Sequence, residues 1–405
     1  MKSCTFLRLA ILIGLLTSCS EPPKKDAEIV NHIASPAMEN SSLPNLFSNG
    51  NKTLMSWVEQ KGDSLTSWHY AELKEGKWQA SHEILQGTNW FVNWADFPMI
   101  TENKGNLLSH VLKKSSAGTY SYDVKLNVLP KGSTNWITNL PLHADGTPTE
   151  HGFVTAIPYK DDTFFITWLD GRNTEEKDDG SRGAMTLRAA IVSERGEVSK
   201  DTLLDNRTCD CCQTTAVITE NGPIVIYRDR SEEEVRDMSI VRQVGGKWTT
   251  PKTIHRDNWK INGCPVNGPK VAGLGNNLAV AWFTAAGNKP KVKLMFSADG
   301  GAKFASPIQV DDADAIGRVD VVLLNADTAI VSWMESKENE AQLKAIKISR
   351  SGQKSESKII AQMDGSRKTG FPQMELVGDK VYFAWTDVTK DVSEINTAYV
   401  PVIQF

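Results

Sequence analysis

The chain has 405 residues, 40% hydrophobic and 23% charged, with a formal net charge of −4. The length leaves room for two or three ordinary domains. The basic residues are scattered, which excludes the concentrated positive surface that a nucleic-acid partner needs.

In chain order, Lys2 precedes an apolar stretch over residues 6–16, interrupted by Arg8 and too short to span a bilayer. It ends in Leu16-Thr17-Ser18-Cys19, which resembles the lipobox of bacterial lipoproteins. That resemblance implies a signal peptide over residues 1–18, lipidation of Cys19 and a polar tether over residues 19–27. Such a protein faces the periplasm or cell exterior of a bacterial envelope and meets the membrane through its lipid anchor only. An ordinary secretory signal is the alternative.

Over residues 28–405 one pattern recurs seven times. A short apolar run closes on a bulky residue and breaks into a polar loop, at Trp57, His110, Trp168, Tyr227, Trp282, Trp333 and Trp385. The spacing is roughly 50–60 residues, a period that marks a repeat architecture. Each repeat reads as four strands: an apolar segment, the capped strand, an alternating strand such as residues 185–191, and a short outer strand after a glycine turn. No stretch carries a sustained helical period. Four-stranded units repeated radially make an all-β β-propeller. Seven blades are expected; six is the alternative, because the copy at His110 is the weakest. The last unit, residues 370–405, ends after its third strand, so residues 28–33 are expected to supply the fourth and close the ring. The recurring tryptophans are expected to pack blades.

The turn Ser297-Ala298-Asp299-Gly300-Gly301-Ala302-Lys303-Phe304 fits the Asp-box (BNR) pattern Ser-x-Asp-x-Gly-x-x-aromatic. On this turn and the repeat, the chain resembles the sialidase superfamily of propellers. In that family the box is structural and lies away from the active face. The resemblance implies an arginine triad for a substrate carboxylate, a Tyr–Glu nucleophile pair and an Asp acid/base. The family's early Arg-Ile-Pro motif is absent here, and no tyrosine matches the nucleophile; Tyr227 ends a strand and reads as core.

A propeller gathers its interblade loops and its second-to-third-strand loops on one face, and loops on a rigid scaffold carry function. The first set brings Trp94, Asp96, His151, Cys209, Cys211, Cys212, Cys264 and Arg318; the second brings Asp170, Arg172, Arg228 and Arg230. A guanidinium fork matches a carboxylate or phosphate, so Arg172, Arg228, Arg230 and Arg318, with Asp170, His151 and Trp94, are candidate ligand contacts. Asp96 is the candidate catalytic acid. The cysteines admit two readings. In an oxidising compartment they would pair, with least strain as Cys209–Cys212 and Cys211–Cys264. Alternatively, soft thiolates would hold zinc or copper(I), helped by His151 or His255.

The expected protein is thus an envelope-anchored propeller lipoprotein that binds an anionic small molecule or glycan in a pocket lined by cysteine and arginine. An exo-acting glycoside hydrolase of sialidase type is one alternative. A metal-binding or redox protein using the cysteine cluster is the other.

Overall fold

A computed structural model describes residue 1 and residues 29–62, 64–176, 178–337, 340–388 and 392–405. Cys19, the tether and all but the first residue of the expected signal peptide lie outside the described residues.

Seven antiparallel sheets of four or five strands follow one another along the chain as the blades of a β-propeller. The second strands are Thr53–Lys61, Asn106–Lys114, Phe164–Asp170, Gly222–Arg228, Asn277–Thr284, Thr328–Lys337 and Lys380–Asp387. The seven bulky positions read from the sequence fall one on each. The seventh blade is closed as expected: Asn31–Ile33 pairs antiparallel with Glu394–Pro401, Asn31 opposite Tyr399.

Burial explains the sequence patterns. A second strand is sandwiched between neighbouring blades, so Phe164–Asp170 and Gly222–Arg228 are buried at every position and read as continuous apolar runs. An outer strand such as Ile137–Pro141 alternates between exposed and half-buried, because one face meets solvent. Trp57, Trp168, Trp282, Trp333 and Trp385 are all at most 3% exposed. Burial of each contributes on the order of 2–3 kcal/mol. The indole N–H must then find an acceptor. Trp57 donates to Glu59 at 2.8 Å, Trp168 to Asp170 at 2.9 Å and Trp333 to Glu335 at 3.0 Å, each two residues on. Trp282 is followed two places on by Thr284, and its indole turns to Asp257 at 2.7 Å instead. His110 in the second blade is buried and its pKa is pushed down to about 3 by burial, so it sits there neutral.

The turn at residues 297–304 joins the third strand of the fifth blade, Lys291–Ser297, to its fourth, Ile308–Gln309. Ser297 Oγ accepts from the Gly301 amide at 3.0 Å and Asp299 Oδ1 from the Lys303 amide at 2.9 Å. Gly300 and Gly301 both take positive φ there, and Phe304 packs against the blade core.

Three inner strands carry a register shift with a non-glycine residue at positive φ: Leu43, Phe153 and Arg318. Bulges of this kind re-aim side chains next to functional sites, and Phe153 lies on the cavity described next.

Candidate functional site

A cavity of about 330 Å³ opens among the loops that join successive blades. The loop from the first to the second blade supplies Phe91, Asn93, Trp94 and Asp96. Glu150 precedes the inner strand His151–Pro158. Asp210 and Cys211 come from the next interblade loop, Cys264 from the one after, and Arg367 from the loop that enters the seventh blade. Tyr122, first residue of the strand Tyr122–Leu129, completes the wall.

Three of these form one hydrogen-bonded unit. Tyr122 Oη lies 2.7 Å from Glu150 Oε1 and 3.0 Å from Asp96 Oδ2. Asp96 Oδ1 accepts from the Phe153 amide at 2.7 Å, which holds that residue in its positive-φ conformation. Gly152 is obligatory beside it, because a Cβ there would come within 1.9 Å of Asp96 Oδ2. Phe91 stacks over Tyr122 with centroids 4.2 Å apart. Tyr122 and Asp96 are buried, and Glu150 is the half-buried member.

Burial raises the Asp96 pKa to about 7, against the lowering effect of the Phe153 amide and the Tyr122 hydroxyl. Burial likewise raises Glu150 to about 8, assisted by the negative charges of Asp96, Asp210 and Cys264 and opposed by Tyr122. Burial also pushes the Tyr122 phenol well above its usual value. A phenol has one hydrogen, so two ionised carboxylates could not both be satisfied by it. One of the pair therefore carries a proton at neutral pH.

Trp94 forms the opposite wall. It stacks on Phe371 with centroids 5.8 Å apart, and Arg318 and Arg367 approach its ring at 5.3 and 5.6 Å. Arg318 is buried and donates to the Thr369 hydroxyl and to the Gly370 and Ser366 carbonyls, fixing the turn that presents Arg367. Arg367 is exposed and forms no ion pair among the described residues.

The four cysteines gather as the sequence implies, but as free thiols; the expected Cys209–Cys212 and Cys211–Cys264 disulfides are not formed. Cys209 Sγ lies 3.8 Å from Cys211 and 3.6 Å from Cys212. Hydrogen bonds from those two thiols, reinforced by Arg236 and Arg228, hold the Cys209 pKa well below its ordinary value. Neither His151 nor His255 joins the sulfur cluster.

The remaining sequence candidates are placed elsewhere. Arg228 is buried and donates to the carbonyls of Asn267, Arg236 and Phe283. Arg230 is bound between Asp210 and Glu234. Arg172 grips Asp170 through two bonds of 2.6 and 2.7 Å. None of Arg172, Arg228, Arg230 and Arg318 lines the cavity. His151 lies behind it, stacked on His143 at 3.8 Å, with Nδ1 facing the Tyr122 and Thr149 carbonyls and Nε2 facing Asp145 at 3.4 Å. It braces the strand that carries Tyr122. Sequence reasoning missed Tyr122, Glu150 and Arg367. Tyr122 opens a strand in the weakest repeat; Glu150 adjoins the named His151; Arg367 left no signal.

No family model matches the chain, and no curated protein does so either. Among solved structures, an ulvan lyase described as a new family of polysaccharide lyase is similar at 12% identity and TM-score 0.55, covering 92% of this chain and 93% of the other. The polysaccharide lyase Uly1 is similar at 10% identity and TM-score 0.51, covering 89% and 90%. The NanB sialidase from Streptococcus pneumoniae is similar at 12% identity and TM-score 0.44, covering 90% and 69%. The likeness to the two lyases is one of fold alone, the β-propeller described above.

Proposed function

We propose that the protein is an envelope-anchored, carbohydrate-active propeller that draws an acidic glycan into the cavity and hydrolyses a glycosidic bond there. The observation that carries this reading is the Tyr122 hydroxyl held between the carboxyls of Asp96 and Glu150 on the cavity wall. Glu150, kept protonated by its surroundings, donates a proton to the leaving oxygen. Tyr122 and Asp96 orient it, and Glu150 regains a proton through solvent from the one that the attacking water gives up. Asp210, paired with Arg230 at 2.9 Å, is the second carboxyl, whose pKa burial pushes up against the pull of Arg230; it faces positive charge developing at the sugar carbon or takes a proton from water. Glycosidases divide acid and base roles between two carboxyls in this way. Trp94 gives an apolar platform for a sugar face, and Arg367 meets a carboxylate or sulfate.

The turn at residues 297–304 supports kinship with the sialidase superfamily, and the fold likeness to ulvan lyases makes acidic polysaccharides the first class to try. Anchoring rests on the Leu16-Thr17-Ser18-Cys19 segment, and is tested by whether Cys19→Ala releases the protein from the membrane fraction.

The test of activity is incubation with sialylated, uronate-containing and sulfated glycans, with reducing ends and unsaturated-uronate absorbance both measured. New reducing ends without that absorbance, lost in Glu150→Gln, are expected. Unsaturated products would replace hydrolysis by elimination, and saturable binding without any cleavage would overturn the enzyme reading in favour of a binding module.

A further inference from the structure

We propose that Cys209, Cys211, Cys212 and Cys264 hold a single zinc ion that ties two interblade loops together beside the cavity. The inference stands apart from the proposed activity and begins with geometry. The ligand atoms of Cys209, Cys211 and Cys212 all lie within 4.8 Å of one another. Two of their separations, 3.6 and 3.8 Å, match the edge of a thiolate tetrahedron. Zinc–sulfur bonds of about 2.3 Å place ligand sulfurs roughly 3.8 Å apart. Cys264, on the following interblade loop, interacts with Cys211 but stands outside the mutually close trio, so it would swing in as the fourth ligand when the metal binds. Four sulfurs from two separate loops make a closed structural site rather than an open catalytic one.

Charge gives a second, independent line. Arg228 is 2% exposed, yet every acceptor it meets is a neutral carbonyl, and its cationic carbon stands 4.8 Å over the Trp259 ring. Arg236 is 3% exposed and donates to Cys209 Sγ at 3.1 Å, with Glu234 as a direct carboxylate partner and Asp210 acting from further off. Buried cations without adequate anions are costly. Four thiolates around a divalent ion carry a net charge of −2, which these two guanidinium groups offset. Two disulfides would remove the negative charge and leave Arg228 with carbonyl acceptors only among the described residues.

The site also has a place in the architecture. Cys211 and Cys264 line the cavity, and Asp210 lies between two of the proposed ligands. A metal here fixes the wall on which Asp210 is presented.

The test uses the full mature chain purified without added metal or chelator. Elemental analysis and native mass spectrometry are expected to give one zinc per chain. A mercurial reagent should release that zinc as four thiols react. Cys212→Ser is expected to lose the metal, with the risk that the buried position also unfolds. Cys264→Ser changes an exposed loop residue, so it is expected to fold while losing zinc to a chelator at least ten times faster than the parent. A metal-free parent whose mass shows two disulfides overturns the proposal, as does copper in place of zinc or a Cys264→Ser protein that retains zinc as firmly as the parent.

Discussion

The hydroxyl of Tyr122 stands 2.7 Å from Glu150 although the two belong to different blades, 28 residues apart in the chain. The pairing gives Glu150 a fixed orientation and a shared proton. Replacing Glu150 by Gln keeps the shape and removes the transferable proton. Glycan turnover is expected to fall about 100- to 10,000-fold, while the dissociation constant measured by calorimetry stays within a few-fold of the parent.

In the proposed mechanism Asp96 helps to set the pH range of that acid. Its negative charge is one cause of the raised Glu150 pKa of about 8. Removing the charge in Asp96→Asn lowers the Glu150 pKa. The alkaline limb of kcat against pH should therefore move to lower pH. An unmoved or alkaline-shifted limb would remove Glu150 from the role of acid.

The same groups make stability depend on pH, with a definite sign. Asp96 and Glu150 titrate near 7 and 8 in the folded protein, against about 4 in an unfolded chain. The folded state binds the extra protons, so their stabilisation is complete below about pH 4 and is lost as pH rises through 7 to 8. Asp145 acts oppositely. Its pKa lies below the usual range because Thr147, His151 and His143 outweigh burial, so its contribution is lost in acid. Thermal unfolding should give a melting temperature that falls between pH 6 and pH 9, and Asp96→Asn should flatten that fall.

Trp94 and Arg367 are expected to act on binding. Trp94→Ala removes the stacking platform and should weaken glycan binding by about 2 kcal/mol, read as a rise in KM with a smaller change in kcat. Arg367→Ala should cost about 1.5–3 kcal/mol for an acidic ligand and little for a neutral analogue. It should also reduce the dependence of binding on salt, followed by titration at two ionic strengths.

The scaffold offers a prediction independent of function. Glu335 accepts from the Trp333 indole and from Lys344, both at 3.0 Å, and from the Asp312 amide at 3.2 Å, while buried in the sixth blade. Glu335→Ala leaves the indole without its acceptor and Lys344 with only Asp312. A loss of about 3 kcal/mol is expected in urea unfolding, with Glu335→Gln losing less.

How much of this could be read from the chain follows from the range of the forces involved. The seven blades, the closing strand and the packing tryptophans were legible because each is a local pattern repeated at a fixed period, and a strand buried on both faces leaves a continuous apolar run. The turn at residues 297–304 was legible because its bonds span only a few residues. Trp94, Asp96 and the cysteines could be assigned to one end because topology alone fixes which loops share it.

The choice among polar groups was a different matter. Arg228 and Arg230 look alike in sequence, yet one is absorbed by carbonyls from three segments and the other by two carboxylates. Arg367, with no distinguishing neighbours in the chain, is the guanidinium left facing the cavity. Tyr122, Glu150 and Asp96 likewise become one unit only when two interblade loops meet the start of the strand Tyr122–Leu129. A hydrogen bond of about 3 Å between segments is a product of tertiary packing, and it leaves no periodic trace in the order of residues.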